Sequence, residues 1–200
     1  MNFLAHLYLS GSSENILVGN FIGDFVKGKS FDTYPPQVQQ GIKLHREIDS
    51  FTDTHPRISQ ARKRLWANFR HYSGVVIDLF NDHFLATSWS KFSEIPLTEF
   101  AAKSYRILQN NIEQLPPGAQ HMLPYMIEGN WLVNYGTISG IDRALTGLSK
   151  RTQFDSNMEN AFRDLELDYD FYREIFNEFF PDLMSFVSGR NPYFQLPDLQ

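Results

Sequence analysis

Two hundred residues, 42% of them hydrophobic and 20% charged, describe one globular domain and exclude disorder along the whole chain. The absence of cysteine excludes a disulfide scaffold, a Cys-ligated zinc site, an iron–sulfur cluster and a cysteine nucleophile together. The net charge of −5 is unevenly spread: Arg57, Arg62, Lys63, Arg64 and Arg70 lie in a stretch (54–77) without a carboxylate, while nine acids stand against Arg163 and Arg173 from Asp155 to Asp182.

The N-terminal MNFLAHLYLSGSSEN has no basic leader, and Asn2 and His6 interrupt its apolar run, so no secretory signal is expected. No run reaches the roughly 20 apolar residues of a membrane span, and the expected location is cytoplasmic. Ser12 or Ser13 can cap a helix reaching about Lys27, with Gly28 as its stop. Pro35-Pro36 opens the next, whose apolar spacing runs to Phe51 before His55-Pro56 ends it. A basic helix follows from Arg57 to Arg70, then a strongly apolar one from Val75 to Trp89. Pro96, Pro116-Pro117 and Gly136 punctuate three further elements, and a last long helix extends from Asp155 to Val187, with Pro181 as its weak point. No alternating strand pattern and no Asn-Gly hairpin is present. The fold class is all-α: one compact multi-helix domain over 1–188, followed by an irregular tail, 189–200.

Acids and histidines fall on faces that should be apolar. At 100° per residue, Val38, Ile42, His45 and Asp49 share one stripe, and Asp53 continues it. Asp78 and Asp82 share a face with Leu85 and Trp89, and Asp24 shares one with Leu17 and Phe21. A lone buried carboxylate costs several kcal/mol unless a cation or donors compensate it. One bound divalent cation would account for the set together. Imidazole with carboxylates suits Mn, Fe, Zn or Mg, and oxygen-rich sets favour Mn or Mg. Read singly, each has an ordinary explanation: Asp24 paired with Arg46, His45 satisfied in the core, Asp78 and Asp82 solvated, Arg46 paired with Asp49. His83 points about 100° away from Asp82, and His6 sits in a segment too short for helical phase to place it. No phosphate loop, G-x-S-x-G elbow or H-E-x-x-H motif occurs.

Four segments together carry a resemblance: NFLAHL (2–7), GNFIGDFVKG (19–28), HREID (45–49) with TDTHP (52–56), and DHFL (82–85) with Trp89-Ser90. They resemble the acyl carrier protein phosphodiesterases, regarded as an unusual branch of the HD phosphohydrolases. The resemblance implies a helical fold like those enzymes, and hydrolysis of 4'-phosphopantetheine from the serine of holo-acyl carrier protein. It also implies a divalent metal, manganese first, with Mg, Fe or Co as alternatives. The contiguous His-Asp doublet of HD enzymes is absent; Asp82-His83 runs in reverse. The expected metal ligands are Asp24, His45, Asp49 and Asp82. The expected catalytic groups are Asp78 to position or deprotonate water, Arg46 on the phosphoryl charge, and His6 as a further ligand or, with His83 as the other candidate, the acid for the leaving serine. Arg57, Arg62, Lys63 and Arg64 would dock the acidic carrier protein. No nucleic-acid or membrane partner is expected. Two other readings stay open: a hydrolase of a guanosine polyphosphate, with Trp66, Tyr72 or Trp131 stacking on the base, and a non-enzymatic helical adaptor.

Overall fold

The computed structural model describes residues 1–28 and 30–197, and among them it contains α-helices and short 3-10 turns but no strand. The helices are α1 (Phe3–Leu9), α2 (Glu14–Ile22), α3 (Pro36–Thr54), α4 (Pro56–Phe69), α5 (Ser73–Thr87), α6 (Leu97–Asn110), α7 (Pro117–Glu128), α8 (Trp131–Asn134), α9 (Ile138–Ser149), α10 (Ala161–Leu167) and α11 (Tyr169–Ser188). None is long and apolar enough to cross a membrane. They surround a single core dominated by large rings, with Phe80, Phe84, Phe176, Phe179 and Phe180 fully buried between α5 and α11.

The tightest packing is between α2 and α3. The two run in the same direction: Asn15 donates to Gln37, a Cβ on Gly19 would lie 2.8 Å from the Gly41 Cα, and one on Gly23 would lie 2.2 Å from the His45 ring. Side chains at Gly19 or Gly41 would force these backbones apart, so the glycines set the approach. Ser13 caps α2 as expected, accepting from the Ile16 N–H.

Several boundaries differ from those expected. The helix begun at Ser13 ends at Ile22, followed by a 3-10 turn, Gly23–Phe25. Its continuation is held instead by α3, because the Arg46 guanidinium donates to the carbonyls of Val26 (2.8 Å) and Gly28 (3.3 Å). The segment from Asp155 is not one helix. It begins as a loop and a turn, and α10 and α11 part at Asp168, whose carboxylate is taken by Arg64. Pro181 lies inside a continuous α11, where its missing N–H leaves the Asn177 carbonyl without its usual helical partner. Residues 189–197 of the tail are irregular, with 198–200 outside the described residues, yet Asn191 and Phe194 are buried, and Asn191 donates to the carbonyls of Leu9 and Ser10.

The basic run meets the acidic run of its own chain. Arg57 pairs with Glu178 and Arg64 with Asp168, both acids on or beside α11, while Arg62 reaches back to Asp53 on α3 at 2.8 Å. Of the four residues expected to dock an anionic partner, Arg57, Arg62 and Arg64 are thus paired within the chain; among the described residues Lys63 has no carboxylate within ion-pair distance. The charge asymmetry is a stitch between α4 and α11.

Candidate metal centre

The centre forms where α1, α2, α3 and α5 meet. His45 and Asp49 project from one face of α3, as their four-residue spacing requires. His6 reaches the same point from α1, its ring stacked on His45 with centroids 3.9 Å apart. The His6 Nε2 lies 3.2 Å from Asp49 Oδ1, and the His45 Nε2 lies 3.1 Å from Asp49 Oδ2 and 3.1 Å from Asp24 Oδ1. Ligand atoms of His6, His45 and Asp49 all fall within 4.8 Å of one another, the one such group among the described residues. Both imidazoles are buried, while the Asp49 side chain is 38% and that of Asp24 70% exposed, so the opening lies on the carboxylate side.

Asn20, a residue the sequence reading passed over, holds both rings. Its Oδ1 lies 2.8 Å from the His6 Nδ1, and its main-chain carbonyl lies 2.8 Å from the His45 Nδ1. The amide cannot be flipped, because its Nδ2 donates to the His6 carbonyl at 2.7 Å and to the Ser10 hydroxyl at 3.1 Å. Each Nδ1 therefore carries a proton and donates it to Asn20, which leaves Nε2 as the position that can ligate a metal: a free lone pair in His6, and in His45 once its second proton is lost. For His6 that atom is buried without a hydrogen-bond partner. A lone pair facing a carboxylate oxygen at 3.2 Å is repulsive unless a cation lies between them. Outward Nε2 atoms with Nδ1–H anchored to protein oxygens are the support that metal-bound histidines use. The donor set fits a divalent cation.

The charges agree with this reading. Burial lowers the His6 pKa to about 4, with the neighbouring His45 charge acting in the same direction, so His6 is neutral. Burial opposes protonation of His45 as well, but its bonds to Asp24 and Asp49 outweigh it and raise the pKa to about 9. Burial pushes Asp49 up, but the hydrogen bond from protonated His45 and the charge of the Met1 ammonium hold it well below the usual carboxylate range. Without a metal, one proton on His45 takes the place of the cation.

The remaining expected residues are placed as follows. Asp24 touches the cluster through His45, not Arg46. Asp78 lies at its edge, 3.1 Å from the Met1 α-ammonium, which also sits 3.3 Å from Asp49. Burial raises the Asp78 pKa and that ammonium opposes it. Asp82 is not brought into the cluster: fully buried, it accepts the N–H groups of Leu4 (2.8 Å) and Ala5 (3.1 Å), the open donors at the start of α1. Burial raises its pKa to about 7. Arg46 does not pair with Asp49; it covers the Phe31 ring and holds the 26–28 turn. His83 is engaged at both nitrogens, by the Tyr135 carbonyl and the Tyr169 hydroxyl. A hollow of about 1390 Å³ lies beyond Tyr8 between α1 and α6 and includes none of these residues.

Fold and centre together define an all-helical protein with a buried His/Asp site suited to a divalent cation. The family described as acyl carrier protein phosphodiesterase matches residues 1–183. Acyl carrier protein phosphodiesterases of Escherichia coli strains E24377A, HS and K12/DH10B are each 33% identical over 191 residues, 95% of this chain and 99% of theirs. The chain belongs to the acyl carrier protein phosphodiesterase family and is a hydrolase. No solved structure matches it, so the expected likeness to HD phosphohydrolases gains no support from known folds.

Proposed function

We propose that the chain hydrolyses the phosphodiester between 4'-phosphopantetheine and the serine of holo-acyl carrier protein, using a divalent cation, manganese first. The substrate class follows from the family and from its relatives, which carry that activity in their names. The observation that carries the chemistry is the orphaned His6 Nε2, aimed with the His45 Nε2 at Asp49.

His6 and His45 through Nε2, with Asp49 and Asp24, would hold the ion, which makes His6 a ligand and not an acid. A cation held there polarises a phosphoryl oxygen and lowers the pKa of bound water. Asn20 keeps both imidazoles in the ligating tautomer. Asp78, at the edge of the cluster and raised in pKa by burial, accepts the proton of the attacking water and returns it to the departing serine oxygen. Asp82 positions α1, and so His6, by gathering its first N–H groups. Arg46 fixes the turn that carries Asp24's neighbours instead of reaching the phosphoryl group. Lys63, free of the internal pairs, meets the acidic surface of the carrier.

Incubation of holo-carrier protein with the manganese-loaded chain, followed by intact-mass measurement, should show loss of the prosthetic group. Chelator should abolish the loss and manganese restore it. Full turnover in chelated protein would overturn the metal assignment, and an unchanged carrier mass with metal present would overturn the substrate.

A further inference from the structure

Along α3 the stripe that carries His45 and Asp49 ends at Asp53, one helical turn or about 6 Å further on. There a recess of about 290 Å³ opens between α4 and the start of α5, lined by Asp53, Ser59, Arg62, Lys63, Trp66 and Ser73. Its walls are fixed. Asp53 accepts a 2.8 Å bond from Arg62, and the Arg62 guanidinium lies so close over Gly74 that a Cβ there would approach it to 2.8 Å. Trp66 leaves half its surface exposed, and its ring is steadied edge-on by His71.

This lining is unusual for a surface next to a hydrolytic centre. It offers a flat aromatic face, the aliphatic stems of Arg62 and Lys63, two hydroxyls and an internally paired carboxylate. Such a mixture suits a neutral, flexible ligand that alternates methyl groups with amides and hydroxyls. It is too small for a protein helix, and its size is at the lower end of small-molecule sites. We propose that this recess receives the pantetheine arm of the substrate, while the carrier protein contacts the exposed Lys63 at its rim. The assignment rests on the proposed reaction: with the phosphodiester at Asp49, one turn separates the scissile bond from Asp53 at the edge of the recess, and the arm would run from there towards Trp66.

The experiment uses free pantetheine, which has the arm without phosphate, on the full chain loaded with magnesium, a diamagnetic ion that leaves the indole resonances observable. The indole N–H resonance of Trp66 should shift on titration while those of Trp89 and Trp131 stay in place, and pantetheine should compete with holo-carrier protein. Trp66→Ala should raise KM for holo-carrier by about tenfold, the loss of one packed aromatic face, with a smaller change in kcat. Its loss on bis(4-nitrophenyl) phosphate, a diester without the arm, should be at least several-fold smaller. Gly74→Ala, whose Cβ would displace the Arg62 guanidinium from the wall of the recess, should reproduce the KM effect without touching the indole. A Trp66 resonance unmoved by saturating pantetheine, equal losses on both diesters, or a shift produced by a guanosine nucleotide and not by pantetheine would overturn the assignment. If holo-carrier is not cleaved at all, the proposed function falls, and the titration still decides whether the recess takes the arm.

Discussion

Replacing Asn20 tests the centre most directly, because a single buried side chain selects the tautomer of His6. Asn20→Leu keeps the bulk but removes the acceptor for His6 Nδ1–H and the donors to the His6 carbonyl and Ser10 hydroxyl. The carbonyl retains a 2.8 Å bond from Ser10 Oγ, so the main loss is the orphaned Nδ1–H, which costs about 1–3 kcal/mol. The ring can relieve this by moving its proton to Nε2 and donating to Asp49 at 3.2 Å. That exchange blocks the ligating atom. Metal binding must then restore the unfavourable tautomer, and loss of such outer contacts typically weakens metal affinity by about 10–100-fold. Long-range proton–nitrogen NMR at pH 7.5 reads the tautomer in metal-free protein, where His6, with a pKa of about 4, is neutral. Wild type should show Nδ1–H and the variant Nε2–H. Asn20→Asp keeps the acceptor and loses the donors, so it should melt lower yet keep both the tautomer and the manganese affinity. A leucine variant that keeps the Nδ1–H form and wild-type affinity, and is merely less stable, would reduce Asn20 to a scaffold residue.

Four further outcomes follow from the same geometry. Gly23→Ala places a Cβ 2.2 Å from the His45 ring carbon and should displace the imidazole, so manganese titration should show affinity falling by more than about 100-fold. Metal must displace the proton on His45, whose pKa is about 9, so the logarithm of manganese affinity should rise about one unit per pH unit up to that value and then level; a flat profile from pH 6 to 9 would refute the protonated state. The same raised pKa means that His45 stabilises the metal-free fold fully below about 6.5, a contribution lost as pH rises through about 9, and thermal melts with chelator should decline across that window. Arg64→Glu opposes Asp168 and should lower the melting temperature with little change in KM, whereas Lys63→Glu should raise KM for the carrier; the reverse pattern would restore Arg64 as a docking residue.

The parts of this molecule written in local pattern were legible. The apolar spacing of α3 and α5, with the proline starts of α3 and α4, places His45, Asp49 and Asp78 on the faces they occupy, and the capping serine of α2 is where a cap belongs. Three features were hidden for physical reasons. The seven residues of α1 give helical phase too little length, so His6 had no assignable direction. Asn20 lies in an apolar helix and looks like any polar interruption, since its meaning comes from two rings contributed by other helices. Periodicity correctly put Asp82 on a buried face, but it could not say whether the compensating charge was a metal or a pair of backbone donors. The arginines of α4 show the same limit for charge: a run of one sign reveals that a partner exists, and only packing shows that the partner is α11.

The dependence of His6 on α1 ties these observations together. A helix of seven residues is too short to form unaided. It persists because Asp82 satisfies its first N–H groups from α5, Asn191 takes the carbonyls of Leu9 and Ser10 from the tail, and Asn20 takes the His6 carbonyl from α2. The position of one ligand is therefore set by residues from three distant parts of the chain, while His45, Asp49 and Asp24 are set by the α2–α3 pair alone. Metal affinity should thus separate into two levels. A site held by α2 and α3 would survive changes in α5 or the tail with three ligands, and a tighter one requires α1 docked. Asp82→Ala removes a buried anchor without altering the α2–α3 pair, so it should weaken manganese binding while leaving the bonds of His45 to Asp24 and Asp49 in place. If instead it abolished binding as completely as loss of His45, Asp82 would have to act on the cation itself.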